Sequence, residues 1–200
     1  MLSSKDRKRT LGLSVVSKNQ QKQYVMTMKL RNVPFSPPDM TEAEADEVRE
    51  AILSGWITTG PRTKKLEKEV AEFVGADKAV CLNSQTACAE MALRLLGIGK
   101  GDEVIVPAYT YTASASIVEH VGATLVFVDV QKDCLEMDYE AVEAAITERT
   151  KAIIPVDLAG IPCDYDRLKA IVEAKKSLFR PATDLQQQIG RVAICCDAAH

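Results

Sequence analysis

Three short stretches carry the residue types from which a reactive site can be built. The first is "NSQTA", Asn83 to Ala87, small polar residues in front of an apolar helical pattern. Such residues leave backbone N–H groups free at the positive end of a helix dipole, which suits an anion or a phosphate. Ser84 or Thr86 can instead do no more than cap the helix. The second stretch is "PAYTYTASAS", where Tyr109 and Tyr111 follow Pro107. Either ring can offer a flat face to an aromatic ligand or pack into the core. The third is "CCDAAH", in which Asp197 ends a short apolar run and His200 stands three residues beyond it. A carboxylate there can hold a proton on a ring nitrogen, and the histidine can bond to the same ligand. Capping a following helix is the competing role for Asp197. His120, in "IVEHVG", reads as a satisfied surface histidine near a helix end.

Phosphate cradle, aromatic plate and buried aspartate, in that chain order, are together what pyridoxal phosphate needs. The plate covers the ring, the aspartate keeps the pyridine nitrogen protonated so that the ring can accept electrons, and the helix end holds the phosphate. The combination is far more specific than any one member.

Those loops need a scaffold, and the chain supplies an alternation. "KAVCL", "EVIVP", "TLVFVDV", "KAIIPVD" and "RVAICCD" read as strands, separated by the helical patterns "QTACAEMALRLLG", "TASASIVEHVG", "DYEAVEAAI" and "DYDRLKAIVEAKK". The strands are short apolar runs rather than alternating ones, so both faces are expected to be covered, as in a parallel sheet flanked by helices. In such sheets ligands gather at the carboxyl ends of the strands. Upstream, Thr41 and Glu44 form a T-x-x-E capping box for a helix running to about Leu53 and closed by Gly55. The Gly- and Thr-rich loop "GWITTGPRT" leads to a second helix with Leu66, Val70, Phe73 and Val74 on one face, ended by Gly75. No repeat is seen beyond the βα unit.

Composition narrows the class. With 46% apolar and 26% charged residues the 200-residue chain can bury a sizeable core. Residues 1–28 hold six basic side chains and one acid, net +5, which leaves −8 on the remainder of a chain whose total is −3. That start reads as a disordered basic arm or a misassigned start, and the acidic body suits a soluble metabolic protein better than a nucleic-acid binder. The six cysteines show no metal or disulfide spacing and read as free thiols in a reducing compartment, so no metal site is expected. No apolar run approaches the roughly 20 residues that span a bilayer, and the cytoplasm is the expected location. No G-x-G-x-x-G follows the first strand, which argues against a nucleotide-binding Rossmann domain.

From about Lys29 to His200 the chain resembles the DegT/DnrJ/EryC1/StrS family of pyridoxal-phosphate-dependent sugar aminotransferases. The likeness runs through successive blocks in the right order: "VPFSPPD", "GWITTGPRTKKLEKEVAEFVGA", "NSQTACAEMALRLLGIGKGDEVIVPAYTYTASASIVEHVGATLVFVDV", "TKAIIPVDLAGIPCDYD" and "DAAH". It implies an α/β fold, the fold-type-I large domain with a mostly parallel sheet in an αβα sandwich. It also implies that Gln85 and Thr86 lie on the phosphate-binding turn, Tyr111 on the ring, Asp197 on the pyridine nitrogen and His200 beside the ring. Thr58, Thr59 and Gly60 fall in a loop that approaches the active site in this family, and the family's active sites lie at a homodimer interface.

There are departures. Gln85 stands where a small Gly or Ala is usual, which crowds the phosphate turn. "SLFRPATDLQQQIGR" is longer than common and has no assigned function. The family's Schiff-base lysine lies on the C-terminal side of the D-x-A-H motif, and no lysine in this sequence occupies a matching position. Residues 29–200 are therefore expected to be an amino-terminal part of the large domain, without the small C-terminal domain and without a catalytic residue of their own. For the complete protein the resemblance implies transfer of an amino group from glutamate to a keto sugar linked to a nucleotide. Dehydration of such a sugar, or a truncated module that binds the cofactor without turnover, are the alternatives.

Overall fold

The computed structural model describes residues 32–34 and 37–199; the arm expected for residues 1–28 lies outside them, as does His200. Two units are present, Met1–Thr58 and Thr59–His200. In the first, helix α1 (Glu42–Leu53) starts as expected: the Thr41 hydroxyl accepts the Ala43 N–H, and Glu44 takes the Thr41 N–H at 2.6 Å. Gly55 follows in the left-handed region at φ +74°. The second unit opens with α2 (Pro61–Val74), which has proline in its first turn, and Gly75 ends it at φ 69°.

Four strands form the sheet: β1 (Glu103–Pro107), β2 (Thr124–Val128), β3 (Thr150–Ile153) and β4 (Ala193–Ile194). All three pairings are parallel, and the order is β2-β1-β3-β4. The connecting helices are α3 (Gln85–Leu95) ahead of β1, α4 (Ala113–His120), α5 (Tyr139–Ala145), α6 (Tyr165–Ala174) and α7 (Asp184–Ile189). Successive side chains on a strand point to opposite faces. Val104, Val106, Ala152 and Ile154 therefore meet Leu93 of α3 and Ile117 and Val118 of α4, whereas Ile105 and Ile153 meet Val142 of α5 and Leu168 and Val172 of α6. Both faces are apolar because both are covered, as the unbroken apolar runs predict.

The strand order also positions the site. From β1 the chain moves outward to β2, then crosses back to β3 on the other side of β1. The loops leaving β1 and β3 consequently diverge to opposite faces and open a crevice at their carboxyl ends.

One expectation fails. "KAVCL" joins no ladder among the described residues; the Cys81 N–H goes to the Glu67 carboxylate at 2.9 Å. Apolar character marks a segment that can pair, but only a neighbouring strand makes it a β-strand. The unassigned stretch before β4 holds a short 3-10 turn, Lys176–Leu178, and α7. Gln186 of α7 is buried and clamps the end of α3, donating to the Leu96 carbonyl at 2.8 Å and accepting the Ala182 N–H at 2.8 Å. No helix among the described residues is long and apolar enough to cross a membrane.

Candidate active site

Asp197 sits just beyond β4, and its backbone remains in the ladder. Its N–H donates to the Pro155 carbonyl and its own carbonyl accepts the Asp157 N–H, both at 2.9 Å. The residue is 4% exposed. Oδ2 accepts the Ser114 hydroxyl at 2.9 Å, and Oδ1 accepts the Ala199 N–H at 3.2 Å. Among the described residues no Lys, Arg or His pairs with this carboxylate. A buried anion held by neutral donors alone is suited to a cationic partner, because burial strengthens such a pair and penalises a lone charge. The Ala199 bond is local, and no helix for Asp197 to cap follows it among the described residues; the bond to Ser114 spans 83 residues.

The loop after β1 brings the second element. Tyr109 and Tyr111 are 59% and 67% exposed, so neither packs into the core. The Tyr111 carbonyl accepts the Ser114 N–H at 3.3 Å, which puts the ring and the Asp197-binding hydroxyl on one turn. Ser114 was not legible in the sequence: a serine near the start of an apolar helix carries no local mark of a partner so distant in the chain.

The third element is the start of α3. Ser84 is its cap, accepting the Ala87 N–H at 3.1 Å. This fulfils the capping role without using the amides of Gln85 and Thr86, which find no acceptor among the described residues. Two free amides at the end of an 11-residue helix are suited to an anion, since the helix dipole is positive there. A cavity of about 410 Å³ lies beside it, with Gln85 and Cys88 on one wall and Ile194, Cys195 and Cys196 on the other. Gln85 and the residues leading to Asp197 thus share one hollow. Thr58 and Thr59 are exposed, whereas Gly60 is buried as the residue capping α2.

Free helix-start amides, an exposed aromatic ring and a buried carboxylate without a counter-charge among the described residues suit the three parts of pyridoxal phosphate, so the residues present fit that group. The buried lysine of the sheet is elsewhere. Lys151 lies at the start of β3, the end remote from Asp197, its Nζ donating to the Arg180 and Glu148 carbonyls at 2.6 and 3.2 Å.

Behind the site, Asp157 accepts the Tyr165 hydroxyl at 2.7 Å and the Cys163 N–H at 2.9 Å. Tyr165 also meets the Cys196 sulfur at 2.6 Å. Burial, with the bonds to Cys196 and Asp157, pushes the Tyr165 phenol far above its ordinary range. Burial and the nearby Asp157 charge push the Cys163 thiol up to about 12, and burial beside Cys196 pushes Cys195 up to about 11. These are packing thiols rather than nucleophiles. All six cysteines are free, and no group of metal-ligating side chains is found among the described residues. His120 bonds Glu90 at 2.9 Å on the surface, remote from this chemistry.

Residues 38–179 match the DegT/DnrJ/EryC1/StrS aminotransferase family. The chain belongs to this family. Its similarity to the spore coat polysaccharide biosynthesis protein SpsC of Bacillus subtilis is 44% identity over 141 residues, 70% of this chain and 36% of SpsC. A Streptococcus pneumoniae protein named as a sugar aminotransferase, solved in PMP, apo and PLP forms, is 57% identical with a TM-score of 0.83. That match covers 85% of this chain and 43% of the pneumococcal one. A GDP-4-keto-6-deoxymannose-3-dehydratase is 28% identical with a TM-score of 0.66, over 70% of this chain and 38% of its own. The fold is thus that of the fold-type-I aminotransferases, over about two fifths of the length of these relatives.

Proposed function

We propose that the intact protein is a pyridoxal-phosphate-dependent aminotransferase that aminates a keto sugar linked to a nucleotide, with glutamate as donor, in polysaccharide biosynthesis. The observation that carries this reading is Asp197, a buried carboxylate with no cation beside it among the described residues, in a chain of this family. Bound pyridoxal phosphate supplies an electron sink that stabilises negative charge on the amino-acid carbon. Asp197 holds the proton on the ring nitrogen. The Gln85 and Thr86 amides would bind the phosphate, Tyr111 would cover the ring and shed water from it, and His200 is assigned to the ring by its place in the family's motif. Thr58, Thr59 and Gly60 belong to the substrate loop, and the working form is a homodimer. The reading requires an attaching lysine C-terminal to His200 in the intact protein.

Dehydration is the second reading, supported by the likeness to a sugar dehydratase at half the identity of the aminotransferase match. Incubating the intact protein with pyridoxal phosphate, glutamate and nucleotide-linked keto sugars separates the two. Aminotransfer gives 2-oxoglutarate and an aminated sugar by mass spectrometry. Loss of water without a nitrogen in the sugar would replace it with dehydration. Turnover of no such sugar, despite bound cofactor, would leave a binding module.

A further inference from the structure

We propose that Ser114 is a positioning residue for Asp197: its hydroxyl, backed by Thr110, fixes the plane of the carboxylate and with it the direction in which a cationic nitrogen is held. This rests on the reading of Asp197 as partner of the cofactor's ring nitrogen and goes one step behind it.

The contrast between two serines on α4 carries the argument. Ser116 bonds back to the Thr112 carbonyl at 3.0 Å, the usual local partner for a serine in a helix. Ser114, two residues earlier and on a different face of the helix, forgoes that bond and reaches across 83 residues to Asp197 Oδ2 at 2.9 Å. Both residues are buried, at 1% and 4% exposure, so water cannot substitute for either partner.

The carboxyl torsion of an aspartate is soft and is fixed only by what its oxygens touch. Here Ala199 N–H binds Oδ1 and Ser114 binds Oδ2, so the two bonds define the plane and leave acceptor capacity on each oxygen. The Ser114 hydrogen is committed to the carboxylate. In the 3.3 Å contact between the two hydroxyls, Thr110 must therefore donate and Ser114 accept. Thr110, Ser114 and Asp197 thus form a one-way relay that polarises the last bond. Tyr111 lies on the same turn, its carbonyl accepting the Ser114 N–H, so one residue bonds both the backbone of the aromatic plate and the carboxylate.

The test uses the intact protein loaded with pyridoxal phosphate labelled with ¹⁵N in the ring, whose chemical shift reports the proton on that nitrogen. Ser114→Ala removes one oxygen and no carbon. The ring signal should move from the protonated towards the unprotonated value, and kcat should fall roughly ten- to a hundred-fold while KM stays within about threefold. Ser114→Thr, which keeps the hydroxyl, should restore the signal. If Asp197→Ala moves the ring signal and Ser114→Ala leaves it at the wild-type value, the hydroxyl is only packing and the inference is overturned. Failure of Ser114→Thr to restore a moved signal overturns it likewise. If Asp197→Ala itself leaves the signal unmoved, the underlying assignment of Asp197 has failed.

Discussion

At Asp197 a strand end, a distant serine and a local turn converge on one carboxylate. Replacing it with alanine should cripple turnover more than cofactor binding, since the phosphate and ring contacts survive. A rise of about 3 kcal/mol in the barrier, roughly a hundred-fold fall in kcat, is the scale for one oriented electrostatic partner. Near-normal turnover in Asp197→Ala would reduce the residue to a turn former. The thiols give a second expectation, from pH. Folding raises Cys163 and Cys195 from 9 to about 12 and 11, so the folded state holds these protons more tightly than the unfolded chain. Their stabilisation is complete below pH 9 and drains away as pH rises towards 11 and 12. The urea midpoint of the intact protein should therefore drop between pH 8 and pH 10. It should drop less in a Cys163→Ala/Cys195→Ala variant; equal slopes would mean these protons are not linked to folding. Asp197 and the helix start after Asn83 were legible because each stands where chain direction and residue type change together, whereas choosing Tyr111 over Tyr109, and Gln85, took the family resemblance. Ser114, Thr110 and Asp157 were not, because their roles exist only through partners brought close by the fold.

Among the elements, strands β1 to β4 and helices α3 to α6 were legible from apolar runs and helical spacing. The missing first strand and the extra helix α7 were not. A strand depends on a neighbour, and α7 is too short and polar to announce itself, six residues held by its contact with α3. That contact yields two expectations. Gly97 follows α3 at φ +72°, and a Cβ there would meet Thr183 Cγ2 at 2.5 Å. Gly97→Ala should cost about 2–4 kcal/mol, from left-handed backbone strain and the clash together. Gln186→Leu should cost about 1–3 kcal/mol by leaving the Ala182 N–H without its bond and the Leu96 carbonyl with the Thr183 hydroxyl alone. Both are read from urea unfolding of the intact protein. A neutral Gly97→Ala would show that Thr183 and α7 can move aside freely.

For the molecule as a whole, the apolar face of α2 stands out as exposed. Leu66, Val70 and Val74 are 51%, 39% and 62% exposed and Phe73 is 92% exposed. Apolar surface of this kind seeks cover. A polypeptide of residues 29–200 made alone should associate, and Phe73→Ser/Leu66→Ser should reduce that association on sizing chromatography. A clean monomer before substitution would show that the exposed face is tolerated. The sheet makes a different demand. The backbone that carries the site's carboxylate is itself a rung of the ladder, bonded to Pro155 and Asp157. Its amide can exchange with deuterium only when the sheet opens, so its protection measures the stability of the sheet. A ligand gripping Asp197 should therefore slow exchange at Asp157, Ile154 and Cys195 by the same factor as at Asp197 itself. Affinity at this site and cohesion of the sheet would then be a single quantity, readable from any of those amides.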